Sequence, residues 1–264
     1  MSEALIDFQN ISIMREERLV LSQFSLRIQR GEHVAILGPN GCGKSTLVKT
    51  ITRDLYPLHR PEASARILGF DRWNLFQLRH HLGVVSNDLT NLCNRPIKGL
   101  ETVLSGFYGS IGLMMAEPPT EEMIAKAKSL MEEFEITHLA DRWVDELSSG
   151  EARRILIARA LVHDPEALLF DEPSTSLDFS AQRELVAIMR RLTRRGISLV
   201  LVTHHLPDII PEIQRVILMK QGKVIADGVK EELLVEDTLH DLFNTRVEIV
   251  RNDGFYHAWW RDSV

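Results

Sequence analysis

Nine consecutive residues, Gly38-Pro39-Asn40-Gly41-Cys42-Gly43-Lys44-Ser45-Thr46, have the types and spacing of a phosphate-binding loop, G-x-x-x-x-G-K-[ST]. Its glycines let the backbone curl so that several N–H groups converge on one anion. Lys44 adds a point charge for β- and γ-phosphates, and the Ser45 hydroxyl suits Mg²⁺, a hard cation that takes oxygen ligands. Far along the chain, Asp171-Glu172 closes an apolar run. Downstream of a phosphate loop, Asp171 can orient a Mg²⁺ shell and Glu172 can polarise an attacking water. Together these groups support hydrolysis of a nucleoside triphosphate. The competing explanation, a glycine-rich turn with a surface lysine, is weakened by what flanks the loop.

Those flanks are the elements the chemistry needs. Val34-Ala35-Ile36-Leu37 reads as a buried strand, and 45–53 has helical spacing that stops before Pro57. Earlier, Ile11-Ser12-Ile13 and Phe24-Ser25-Leu26-Arg27-Ile28 alternate as half-exposed strands do. Arg66-Ile67-Leu68-Gly69 and Leu82-Gly83-Val84-Val85 are further strand candidates. The stretch 88–146 lacks long β-branched runs and reads as a helical subdomain inserted in an α/β core. Within it, Thr120 caps a helix whose apolar face is Met123, Ile124, Ala127, Leu130, Met131 and Phe134. The core resumes with a helix at 153–162 and the strand Ala167-Leu168-Leu169-Phe170. A helix at 180–194 follows, with Leu185, Ile188, Met189 and Leu192 inward. The run from Ile197 to Thr203 is apolar on both faces, which implies a parallel sheet covered by helices on each side. A hairpin turns at Gln221-Gly222. Residues 1–245 form the main domain, and 246–264 a β-like tail that turns at Asn252-Asp253-Gly254.

Composition narrows the function classes. The chain has 264 residues, 44% hydrophobic and 26% charged, and a net charge of −6, which argues against broad nucleic-acid binding. No apolar run approaches the roughly 18 residues needed to span a bilayer. The start, Met1-Ser2-Glu3-Ala4, lacks a signal-peptide pattern, and two cysteines make no disulfide framework. The expectation is a cytoplasmic chain whose membrane part, if it has one, belongs to another chain. Cys42, inside the loop at a helix N-terminus, is expected to be a reactive thiol. The adjacent pairs His80-His81 and His204-His205 are expected to point their side chains to opposite sides, against a metal site at His205 and Asp208.

Leu147-Ser148-Ser149-Gly150-Glu151, opening the helix upstream of Asp171, makes the chain resemble the ATP-binding cassette (ABC) ATPases from Phe8 to Gly228. The family signature is L-S-G-G-Q, and this copy departs from it at Ser149 and Glu151. The resemblance implies an α/β phosphate-loop core with an antiparallel β subdomain and an inserted helical subdomain. It implies that Ser148, Gly150 and the helix N-terminus touch the γ-phosphate of ATP held by a second cassette, with Ser149 and Glu151 alongside. Ser176-Leu177-Asp178 matches the D-loop, which crosses the dimer interface in relatives, and His204 matches the switch histidine that contacts the γ-phosphate. Asn87 stands where the family has a Mg²⁺-contacting glutamine, one methylene longer. Arg15 stands near the place of the aromatic ring that stacks on adenine. The stretch from Val103 to Leu113 is similar to the group of the molybdate-associated ATPase ModF. The implied activity is Mg²⁺-dependent ATP hydrolysis coupled to closing of a homodimeric sandwich. The leading setting is a transporter with a separate transmembrane subunit, the cassette lying on the inner face of the cell membrane. A soluble ATPase of repair, translation or regulation is the alternative.

Overall fold

A computed structural model describes residues 4–86, 96–109 and 118–260. The fold divides into two compact units, Met1–Trp73 with Ser198–Val264, and Asn74–Ile197.

In the first unit, strands β1 (Ala4–Arg15) and β2 (Arg18–Gln29) form a long antiparallel pair, and β4 (Ser64–Ile67) joins the other edge of β1. Ile11, Ile13, Leu21, Phe24, Leu26 and Ile28 are buried, so the alternation in sequence becomes one apolar face. Strand β3 (His33–Leu37) runs parallel to β7 (Ser198–Thr203) on one side and β8 (Arg215–Lys220) on the other. Every residue of β7 is buried, the pattern of a strand with no wet face. Helix α1 (Lys44–Ile51) follows β3 through the phosphate loop. Strand β9 (Lys223–Val229) returns antiparallel to β8 across Gln221 and Gly222, both at positive φ as a tight hairpin turn requires. Two short helices, α7 (Lys230–Leu233) and α8 (Glu236–Phe243), lead to the hairpin of β10 (Val247–Asn252) and β11 (Phe255–Trp260).

In the second unit, α2 (Leu75–His81) runs into β5 (Leu82–Ser86), which pairs in parallel with β6 (Ala167–Asp171). Between them lie α3 (Gly99–Leu104), α4 (Glu121–Glu133) and α5 (Ser149–Ala160), and α6 (Phe179–Arg194) follows β6. Thr120 caps α4 by accepting from the Met123 N–H at 3.3 Å. Ala127, Leu130, Met131 and Phe134 are buried, while Met123 and Ile124 are half-buried at the first turn. On α6, Leu185, Ile188, Met189 and Leu192 all face inward. No helix among the described residues is long and apolar enough to cross a membrane.

The rings of His80 and His163 stack 3.7 Å apart, with Phe107 edge-on to His163, while His81 turns to Glu166 at 3.2 Å. Burial first, and His80 second, lower the pKa of His163 from 6.5 to about 4. Between those values the folded chain binds fewer protons than the unfolded one. The stability present above about pH 6.5 is therefore lost as pH falls toward about 4. Thermal melts across this window should show a shallower loss for His163→Asn than for the wild type. Parallel curves would mean that His163 does not set the slope.

Candidate active site

The phosphate loop is held at both ends by backbone. The Gly38 N–H donates to the Thr203 carbonyl at 3.3 Å, and the Gly222 N–H donates to the Cys42 carbonyl at 2.8 Å. Gly43 takes a left-handed conformation, φ 108°, which opens α1 without a side-chain cap among the described residues. A helix N-terminus opened in this way is a place where anions bind. Lys44 is 6% exposed, and its ammonium donates to the carbonyls of Gly38 at 2.7 Å and Pro39 at 3.2 Å, while Ser45 beside it is exposed. Gly38 allows no larger residue: a Cβ there would lie 2.3 Å from the Met219 carbonyl oxygen of β8 and 2.7 Å from Cys42 Sγ. Cys42 itself is 4% exposed, so the expected reactive thiol is instead packed into the loop's own interior.

Arg15 ends β1 and pairs with Arg18 across a turn at Glu16. Met14, Arg15 and Leu19 are exposed at this tip. The same hairpin reaches the phosphate loop, because a Cβ on Gly43 would meet Leu21 Cδ2 at 3.0 Å. Val20, Leu21 and Met219 thus shape the loop, and nothing in their sequence spacing announces it. They come from strands remote in the chain.

His204 follows the last residue of β7. The Thr203 hydroxyl donates to Asp208 Oδ2 at 2.7 Å and accepts from the His205 N–H at 2.9 Å, closing a 3-10 turn at Leu206–Asp208. The rings of His204 and His205 lie 3.8 Å apart at 40°. The expectation of opposed directions fails here because the strand ends at Thr203, and strand alternation ends with it.

In the second unit, Asp171 is the last residue of β6 and Glu172 follows at φ 48°, a strained conformation for a residue with a Cβ. Asp178 caps α6, its Oδ1 accepting from the Ala181 N–H at 2.8 Å. Helix α5 starts at Ser149 rather than at 153, because a capping box recruits the preceding residues. The Ser148 hydroxyl accepts from the Glu151 N–H at 3.3 Å, and Glu151 Oε2 accepts from the Ser148 N–H at 2.9 Å and from its hydroxyl at 2.8 Å. Those two bonds from Ser148 hold the Glu151 carboxyl below its ordinary pKa. Ser148 and Ser149 are exposed, and Gly150 lets α5 approach α6 so closely that a Cβ on it would lie 2.9 Å from Ala181 Cβ.

The candidate residues therefore form two groups. Arg15, Gly38 to Thr46 and His204 belong to the first unit; Ser148 to Glu151, Asp171, Glu172 and Asp178 belong to the second. Asn87 lies outside the described residues, as does part of the ModF-like stretch.

Comparisons with known proteins bear on both groups. The family model for the ABC transporter matches residues 21–175. The uncharacterized ABC transporter ATP-binding protein YlmA of Bacillus subtilis is 33% identical over 94% of each chain. The hemin import ATP-binding protein HmuV of Hahella chejuensis is 32% identical over 91% of this chain and 93% of its own. The dimeric structure of MJ0796, a bacterial ABC transporter cassette, matches with a TM-score of 0.69 at 28% identity, over 85% of this chain and 98% of that one. Fold, loop and kinship agree: the chain belongs to the ABC transporter family, as an ATP-binding and ATP-hydrolysing cassette.

Proposed function

We propose that two copies of this chain close on ATP and that a separate transmembrane subunit converts the closure into transport. The observation that carries this reading is the exposed N-terminus of α5, where Ser148 and Ser149 face solvent and a second cassette can reach them. Lys44 and the loop amides hold the β- and γ-phosphates, Glu172 is the general base, and His204 contacts the γ-phosphate. Ser148, Ser149, Gly150 and Glu151 complete the partner's site, with Asp178 at the interface. Hydroxyl and carboxylate oxygens are the donors that Mg²⁺ prefers, so Ser45 and Asp171 fit it, with Asn87 as a further ligand. When bound, Mg²⁺ neutralises charge on the β- and γ-oxygens. Import is the direction favoured by kinship with a hemin import protein. A ModF-like grouping is carried only by the stretch from Val103.

Affinity purification in detergent with ATP trapped tests the setting. Co-purification of a multispanning protein is expected. Recovery of soluble partners alone would favour the alternative of a non-transport ATPase.

Base recognition gives a second measurement. A base–aromatic stack is worth about 1–3 kcal/mol, whereas an exposed guanidinium is mobile and solvated. Arg15 at the hairpin tip should therefore give weak preference for ATP over GTP, and Arg15→Tyr should bind ATP more tightly. Titration with both nucleotides decides it. Strong selectivity in the wild type, unchanged by the substitution, would place another residue over the base.

A further inference from the structure

The C-terminal hairpin and α7 converge on the stretch that follows His204. Lys230, the first residue of α7, is 1% exposed although cationic. Its ammonium donates to the carbonyls of Ile210 at 3.4 Å and Pro211 at 3.1 Å, and its backbone N–H donates to the Gln214 carbonyl at 2.8 Å. Tyr256 of β11, buried as well, places its ring centroid 6.0 Å from that ammonium and 5.5 Å from the Arg251 guanidinium. Gly254, at the tip of the same hairpin, sits so close to Pro211 that a Cβ on it would lie 3.1 Å from Pro211 Cβ. Strand β11 also packs on the 3-10 turn Leu206–Asp208. The opposite end of that turn is tied by Asp208, 5% exposed, through the Thr203 hydroxyl. Residues 204–209 are thus fixed at both ends, once by the end of β7 and once by the tail.

A buried ammonium is tolerated only with its hydrogen bonds made. Lys230 therefore holds the Ile210 and Pro211 carbonyls in place as long as Tyr256 keeps water from the ammonium. The geometry points to the C-terminal hairpin as a positioning element for His204, with Tyr256 and Lys230 setting the path of residues 206–211 and so the direction of the histidine. This goes beyond the proposed function and rests on it for the role of His204.

The test uses the full-length chain with Tyr256→Ala, Lys230→Met and Tyr256→Phe. Small displacements of a positioned group cost up to about a hundredfold in rate. The alanine and methionine variants should lose about tenfold to a hundredfold in kcat with the KM for ATP unchanged. Their amides at His205 and Ile209 should exchange faster, while those of β3 and α1 keep wild-type protection. Tyr256→Phe should match the wild type in both respects. Wild-type kcat in both disruptive variants would overturn the inference, as would exchange that quickens evenly over the unit, the mark of a merely stabilising tail. If the wild-type chain failed to hydrolyse ATP, the role given to His204 would fall, while the exchange pattern would still judge the clamp.

Discussion

Glu172→Gln is expected to lower ATP turnover by about 10²–10⁴-fold while ATP still binds, since an amide keeps the shape of the carboxylate and cannot take a proton. The expectation follows from where Glu172 sits. It comes directly after Asp171 at the end of β6, with its backbone held at φ 48°. Strain of that kind, on the order of 1 kcal/mol, persists only where surrounding structure fixes the chain, and a general base needs that fixity. With hydrolysis blocked, ATP should hold two chains together. Size-exclusion chromatography in ATP and Mg²⁺ should then show a dimer for the variant and monomer without nucleotide. A variant that stayed monomeric and hydrolysed ATP at the wild-type rate would sink both the base assignment and the sandwich.

The second large effect belongs to Gly38→Ala. A methyl group there would sit 2.3 Å from the Met219 carbonyl oxygen, and the backbone of Met219, paired with Val224 of β9, cannot swing away as a side-chain end can. Either β8 or the phosphate loop must move. Overpacking of this sort costs about 1–3 kcal/mol of stability. A shift of the loop would cost its N–H groups their convergence. ATP binding should weaken at least about tenfold, near 1.4 kcal/mol. Isothermal titration and thermal melts on the same sample separate the two costs. Unaltered ATP affinity in a well-folded variant would show that the loop accommodates the methyl without losing its shape.

Much of this was legible in the residues because local chemistry reports itself. The phosphate loop, its flanking strand and helix, the nearly all-apolar β7 and the Gln221-Gly222 hairpin are each specified within a few residues of sequence. Helix α2 was not legible: only Leu78 of its seven residues is buried, so it has no apolar stripe, and Asn74 starts it by accepting from the Phe76 N–H. The motif 147–151 opens α5 as the sequence reading has it, while the helical span itself, expected from 153, begins at Ser149 because the Ser148–Glu151 pairing caps it there. Packing between distant segments left no local mark. The Met219 carbonyl against Gly38, the burial of Cys42 and the Lys230–Tyr256 contact all arise from chain ends brought together by the sheet and its tail. The facing rings of His204 and His205 depended on where β7 stops, and propensity places strand ends poorly.

The Ser148–Glu151 capping box has a consequence for the closing step. A hydroxyl has one proton, and that of Ser148 is committed to Glu151 Oε2, which also holds the Ser148 N–H. With one lone pair accepting from the Glu151 N–H, the hydroxyl has a single lone pair left and no proton to offer an incoming phosphate. In the proposed sandwich, docking a second cassette's γ-phosphate on this helix end would be an exchange of anions, the Glu151 carboxylate giving way to the nucleotide. The affinity between cassettes would then be a difference between two interactions, and the family's glutamine, which can close the same capping box without a charge, would be the weaker resident. If the proposed sandwich forms, it should separate readily once the γ-phosphate is cleaved, because Glu151 can reclaim the helix end.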